Sequence, residues 1–324
     1  MNEFALIDRY FRRDVRDPAV RIAVGDDGAV VAPAPGCDLV FSVDMLVEGR
    51  HFLPGVDPVT LGHKTLAVNL SDLAAMGATP RWALLAGALP DSDERWLGGF
   101  ARGLFALADR FGVALIGGDT TRGPRNLCLT IIGETPAGTA LTRSGARPSD
   151  DVYVSGTLGD AALALAALQG RAQLDAEVLA AVRPRLETPE PRVALGERLR
   201  GIATAAIDVS DGLTGDLAHI LDASAVGAAI DLARIPRSAT LAKRLDGEAR
   251  DVALACLLAG GDDYELCFTA PVSARDAIAG IAIDASVPLT RIGTVTSGTG
   301  FVVRDEQGAP LADIPSSFDH FGDN

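Results

Sequence analysis

Cysteine is scarce in this chain: Cys37, Cys128, Cys256 and Cys267 are the four, and none stands in C-x-x-C spacing. Set among apolar residues, they read as buried, reduced thiols, which excludes a disulfide framework and a structural zinc site. Positive charge is also in deficit. The 29 Lys and Arg face 43 Asp and Glu, a formal net charge of −14, so the basic face that a nucleic-acid backbone requires is missing. An acidic surface still accommodates a nucleotide where metal ions mediate. No apolar run spans a bilayer, Ala161–Leu168 being far too short, and Met1-Asn-Glu-Phe-Ala-Leu-Ile-Asp8 lacks the basic flank and apolar core of a signal peptide. The expectation is a cytoplasmic protein with neither a nucleic-acid nor a membrane partner.

Familiar nucleotide signatures are missing as well. There is no G-x-G-x-x-G after a strand and no kinase catalytic-loop signature. Gly62-His-Lys-Thr65 imitates the tail of a P-loop, but its glycine and lysine are not adjacent and it lies inside a predicted helix. No D-x-[DN]-x-[DN]-G loop offers a calcium site.

What is present is a soluble globular composition over 324 residues, 48% hydrophobic and 22% charged, enough for two domains of ordinary size. Around Thr135–Pro148 the pattern breaks into Gly, Pro, Thr and Arg, which places the boundary between residues 1–138 and 139–324. Strands and helices mix in both halves without strict alternation, so the expected class is α/β, built as α+β layers. One long helix is readable at both ends. Asp57 before Pro58 makes an N-cap with proline at the first helical position, Leu66, Leu70, Leu73 and Gly77 form one stripe, and Gly77 with Pro80 stops it. Further on, Asp91-Ser-Asp-Glu94 has capping-box spacing ahead of the stripe Trp96, Phe100, Leu104, Leu107 and Phe111.

Asp72 puts a carboxylate on that first, otherwise apolar helix. Other aspartates stand where predicted strands run out: Asp27, Asp44, Asp119, Asp208 and Asp211. Each alone is ordinary turn chemistry beside glycine. If they converge, each like-charge pair at ~4 Å costs about 4 kcal/mol at an effective dielectric near 20, so the cluster needs cations. All the candidate ligands are oxygen, which selects magnesium or manganese over zinc, and magnesium usually completes its shell with substrate phosphates.

The runs Gly25-Asp-Asp27, Asn69-Leu-Ser-Asp-Leu-Ala-Ala-Met-Gly77, Leu115-Ile-Gly-Gly-Asp-Thr-Thr-Arg-Gly123, Ala140-Leu-Thr-Arg-Ser-Gly145, Ile207-Asp-Val-Ser-Asp-Gly-Leu213 and Gly260-Gly-Asp-Asp-Tyr-Glu-Leu-Cys-Phe268 together resemble the thiamine-monophosphate kinases nearly end to end. That family shares a superfamily with aminoimidazole ribonucleotide synthetase and selenophosphate synthetase. The resemblance implies a two-domain fold like aminoimidazole ribonucleotide synthetase, with the N-terminal sheet pairing in a homodimer. It also implies transfer of the ATP γ-phosphoryl to thiamine monophosphate with several Mg2+ ions. Carried over, Asp27, Ser42, Asp44, Asp72, Asp119, Asp208 and Asp211 match the magnesium ligands, with Asp44, Asp72 and Asp119 acting in catalysis through the metal. Gly118, Asp119, Arg143 and Ser210 match ATP contacts, while His51, Asp262 and Phe318 match the thiamine monophosphate pocket. Two positions depart from the pattern: Val43 stands where the family usually has threonine, and Asp262 where it usually has glutamate. A ring-closing ligase, a selenophosphate synthetase and a non-catalytic nucleotide-binding scaffold are the alternatives; the second usually carries a reactive cysteine near the N-terminus, and none precedes Cys37.

Overall fold

A computed structural model of the chain describes residues 3–315. In order, the first elements are α1 (Glu3–Tyr10), β1 (Val20–Ile22), β2 (Val30–Val31), β3 (Cys37–Val47), α2 (Pro58–Ala75), β4 (Thr79–Leu89), α3 (Glu94–Phe111), β5 (Ala114–Arg122) and β6 (Asn126–Pro136). Then come β7 (Asp151–Ser155), α4 (Asp160–Leu168), α5 (Ala176–Glu187), α6 (Val193–Leu199), β8 (Ala205–Asp208), α7 (Leu213–Ser224), β9 (Gly227–Asp231), α8 (Ala239–Leu245), α9 (Arg250–Ala259), β10 (Leu266–Ala270), α10 (Arg275–Asp284), β11 (Leu289–Thr296) and β12 (Phe301–Arg304). The class is α/β. Contacts gather the chain up to Leu73 with Ala78–Ala140 into one unit, and Ala74–Gly77 with Leu141 onward into a second.

The first unit holds a four-stranded sheet in the order β3-β6-β4-β5, antiparallel except for β4 and β5. One face is apolar and covered: Val40, Leu46, Leu127, Leu129, Ile131, Ala83, Leu85 and Leu115 alternate onto it. Helix α2 starts as read, with Asp57 Oδ1 accepting the Val59 N–H at 2.8 Å, and ends at Gly77, whose φ of 64° is the left-handed conformation of a helix stop. Instead of one apolar stripe, α2 is buried on nearly all sides between Lys64 and Ser71. Its contact with α3 is backbone to backbone. A methyl group on Gly62 would overlap the Phe100 carbonyl, and one on Gly103 would overlap the Val59 carbonyl. The glycine that mimics a P-loop is therefore a helix-packing residue.

Several boundaries differ from the expected ones. The N-cap of α3 is Asp93, accepting from Arg95 N and Trp96 N, while Asp91 serves Asp93 N at 3.1 Å instead of closing a capping box. Strand β3 continues past Asp44 to Val47 because every residue from Cys37 on pairs with β6. Likewise β5 runs through Asp119 to Arg122, paired with β4, where the glycines predict a loop. Asp44 and Asp119 are thus strand residues and not strand-end residues. Cys37 and Cys128 are half-buried, Cys256 and Cys267 buried, and all four are free thiols.

The second unit carries a six-stranded sheet in the order β12-β9-β11-β7-β10-β8, antiparallel except where β12 meets β9. Strands β7 and β10 are buried along their whole length. Val152, Val154 and Cys267 join one core with residues of α4, α7, α8 and α9, while Tyr153 and Phe268 stack at 5.2 Å. Among the described residues no helix is long and apolar enough to cross a membrane.

The glycines of α3 should respond with opposite signs. Gly103→Ala forces the two helices apart and should cost about 2 kcal/mol as an overpacked contact. Gly98 has only ordinary contacts around its site, so Gly98→Ala should gain up to ~1 kcal/mol from helix propensity. Urea midpoints of the two variants and the parent make the comparison, and equal shifts would contradict the packing argument.

Candidate functional site

In the first unit, sheet register sorts the aspartates by face. Ser42 and Asp44 alternate with exposed Val43 and Met45 and lie on the face that meets α2, where Ser42 Oγ donates to Asp72 Oδ2 at 2.5 Å. The Cys128 thiol is pushed up by burial and further by the neighbouring Asp44 carboxylate. Asp119 belongs to the opposite face. It pairs with Ala86, which pairs with Cys128, which pairs with Met45. Beside it, Gly118 at φ 151° has room for no side chain, because a Cβ would strike the Leu85 carbonyl.

Two further positions lie in turns. Asp27 is exposed between β1 and β2, its N–H donating to Asp26 Oδ1 at 2.9 Å. His51 follows β3, and its Nδ1 accepts the Val47 N–H at 3.1 Å. That ring nitrogen therefore closes its own turn.

In the second unit the site residues stand on two segments hydrogen-bonded to each other. Asp208 ends β8, buried, and leads into Val209-Ser210-Asp211-Gly212, which turns into α7. Tyr264 N donates to Val209 O at 2.8 Å, Asp262 N to Ser210 O at 2.8 Å, and Val209 N to Glu265 O at 2.7 Å. Asp262 itself sits at φ 69° and Tyr264 at φ 51°, sparsely populated conformations for residues with side chains, and the Tyr264 hydroxyl donates to Asp262 Oδ1 at 3.1 Å. Ser210, Asp211 and Asp262 are half-exposed. Arg143 is exposed, and Phe318 lies outside the described residues.

Beneath these segments are charges to which the sequence pattern assigns no role. Glu265 is fully buried and accepts from Arg192 Nε at 2.7 Å, Arg192 Nη2 at 2.6 Å, Arg185 Nη2 at 2.8 Å and Ser155 Oγ at 2.6 Å. Asp263 accepts the Gly159 N–H, and complete burial holds its carboxyl well above the usual range. Burial likewise pushes the Asp216 carboxyl up to about 7, with Asp211 adding to the rise and backbone amides opposing it. The signal that could have found Asp216 is an acid in the first turn of a helix, where the dipole favours it. Glu265 stands inside the Gly260–Phe268 run, one of several acids there with nothing local to single it out.

By donor chemistry the set fits magnesium, since Ser42, Asp44, Asp72, Asp119, Asp208 and Asp211 offer only hard oxygen. Ser42 and Asp72 already touch. Among the described residues, no three His, Cys, Asp or Glu side chains lie close enough to hold a metal ion, so phosphate and water oxygens would have to complete any coordination shell.

Comparison with known proteins adds ancestry to this geometry. Residues 25–135 match the model for the N-terminal domain of AIR synthase related proteins, and residues 147–306 match that for the C-terminal domain. The chain is 48% identical over 322 residues to thiamine-monophosphate kinase of Escherichia coli (strain K12), covering 98% of each. It superposes with a TM-score of 0.86 on the crystal structure of thiamine-monophosphate kinase from Stenotrophomonas maltophilia K279a, at 48% identity over 96% of this chain and 98% of that one. With AaThiL complexed with AMPPCP and TMP the TM-score is 0.78 at 29% identity, over 90% and 89% of the two chains.

The buried charges make a stability prediction. Arg192→Ala leaves Glu265 with Arg185 as its remaining arginine, and an under-compensated buried carboxylate should cost roughly 3 kcal/mol. Chemical denaturation measures it, and a loss within ~0.5 kcal/mol of the parent, as for an ordinary surface change, would contradict the assignment.

Proposed function

This chain belongs to the thiamine-monophosphate kinase family, and on that premise we propose that it moves the γ-phosphoryl group of ATP onto the phosphate of thiamine monophosphate, releasing ADP and thiamine diphosphate. The observation that carries the reading is the likeness across 98% of both chains, with every motif quoted above falling inside it. The AaThiL complex with AMPPCP and TMP pairs an ATP analogue with the phosphorylated acceptor, which fits the same reaction.

The acceptor governs the mechanism. A phosphate monoester has a second pKa of about 6 and is largely a dianion near neutral pH, so no base has to remove a proton from it. His51, the one imidazole in the proposed pocket, already uses Nδ1 in its turn. Catalysis then reduces to holding two polyanions in line. In this reading Asp27, Ser42, Asp44, Asp72, Asp119, Asp208 and Asp211 hold magnesium, Gly118, Asp119, Arg143 and Ser210 contact ATP, and His51, Asp262 and Phe318 receive thiamine monophosphate. Magnesium so bound would neutralise phosphate charge and fix the two substrates relative to each other. Asp262, one methylene shorter than the family's usual glutamate, is steered by the Tyr264 hydroxyl. Val43 points to the exposed face of β3, away from Ser42 and Asp44, so its side chain adds no ligand to that pair.

We also take the enzyme to be a cytoplasmic homodimer. Strand β3 lies at the sheet edge, and Phe41, Val43 and Met45 are exposed by 61%, 58% and 52% in one row along it. A long apolar edge of this kind needs cover. A second copy supplies it. Light scattering should give twice the 33.5 kDa chain mass, and Phe41→Glu should shift it toward one. A parent protein at one chain mass in micromolar solution would refute the dimer.

The reaction itself is tested by its acceptor. Unphosphorylated thiamine presents an alcohol that needs proton removal in the transition state, an effect worth typically 10²–10⁴-fold. With ATP and magnesium held constant, kcat/KM should be lower for thiamine than for thiamine monophosphate by at least about 10²-fold. Comparable values would overturn both the mechanism and the proposed substrate.

A further inference from the structure

The turn that carries Asp208, Ser210 and Asp211 is held from both sides. On one side are the hydrogen bonds to 262–265 already described. On the other, a single atom, Asp216 Oδ2, accepts from Ser210 N at 3.0 Å, Asp211 N at 3.1 Å and Gly212 N at 3.1 Å. Successive amides converging on one point form an anion-binding nest, and here the chain's own carboxylate fills it. Asp216 N in turn donates to Gly212 O at 3.0 Å, so the side chain and backbone of one residue close the start of α7.

Burial separates the two acids of this turn. Asp216 is only 2% exposed, whereas Ser210 and Asp211 are half-exposed. A buried group already accepting three amides has its oxygen committed to the backbone, while Ser210 and Asp211 keep part of their surface open to solvent. Gly212 at φ 118° fits the same scheme, since a Cβ there would overlap the Ala259 backbone, and the turn must therefore be made without a side chain at that corner.

We propose that Asp216 is a positioning residue for phosphoryl transfer: by fixing the amides of Ser210, Asp211 and Gly212 it aims the Asp208, Ser210 and Asp211 side chains at the nucleotide and its metal. The inference rests on the reading of those three residues given under the proposed function. A turn released from its anchor moves on the ångström scale, and a 1 Å misplacement costs on the order of 10²-fold in rate.

Three variants test it: Asp216→Ala empties the nest, Asp216→Glu keeps the charge but displaces the turn by a methylene, and Asp216→Asn keeps an acceptor oxygen in place. Two readouts are taken on folded protein, binding of AMPPCP with magnesium by titration calorimetry, and kcat and KM for ATP and for thiamine monophosphate. The alanine and glutamate variants should weaken analogue binding by about tenfold or more and lower kcat by about 10²-fold, with asparagine restoring both most of the way. If alanine fails to fold, the glutamate variant decides. Alanine or glutamate protein that binds the analogue and turns over within about twofold of the parent, whatever its melting temperature, would overturn the proposal by showing a purely structural role. A parent that binds the analogue yet leaves thiamine monophosphate unphosphorylated would overturn the proposed function instead, and the calorimetric comparison would still judge Asp216.

Discussion

Charge taken out of water has to be met by something, and the second unit shows how this chain meets it. Glu265 has two arginines and a serine hydroxyl, Asp263 a backbone amide, and Asp160 the Ser238 hydroxyl at 2.7 Å. The three carboxylates are nearly inaccessible to solvent. Arg192 meets both oxygens of Glu265 in a bidentate geometry that lysine would not reproduce. Replacing such a network whole with apolar residues is often neutral, whereas removing one partner strands a buried charge. What the network arranges is the segment Asp262–Glu265, and through it the turn after β8.

Solvent access largely separates the acids of the proposed site from the rest. Asp44, Asp72, Asp211 and Asp262 are half-buried, and Asp27 and Asp119 exposed, while the acids that hold the scaffold are buried. Asp208 is the exception, buried at the end of β8 yet counted among the proposed ligands. The first unit obtains rigidity differently. Its two long helices meet through Gly62 and Gly103 with backbone against backbone, a contact that leaves little freedom to slide and fixes Asp72 opposite Ser42.

Much of this arrangement is legible in the amino-acid sequence, and the exceptions have physical reasons. Helix α2 announces both ends through Asp57-Pro58 and Gly77, and α4 matches its expected span of Asp160–Leu168 because glycine precedes it and its apolar run is unbroken. Helix α8 is not legible in this way. Seven residues are too few for a period to emerge, although Ser238 is there as a cap accepting from Leu241 N. Local sequence stops reading as strand where charge or glycine enters, so Asp44 and Asp119 look like strand-end residues. Pairing with a neighbour extends both strands through them, and pairing is not a local property. For the same reason nothing in the sequence signals that Asp119 and Asp44 belong to opposite faces. That follows from a bulge in the β4–β5 register between Ala83 and Leu84, where one extra residue inverts the alternation.

The net charge constrains recognition as much as the folded sites do. A chain at −14 repels ATP and thiamine monophosphate at long range, and at physiological salt that repulsion fades beyond about 8 Å. Affinity must therefore arise inside that distance, from donors and cations that act at contact. Arg143 is exposed, in a segment rich in glycine and threonine, and in the proposed reading it is one such positive group. Oxygen donors cannot attract phosphate by themselves; in the proposed reading a divalent ion held between the two would turn an acidic lining from an obstacle into the means of binding. An acidic protein surface and a polyanionic pair of substrates are then consistent with each other, provided the acids are spaced by a rigid scaffold and not free to turn away.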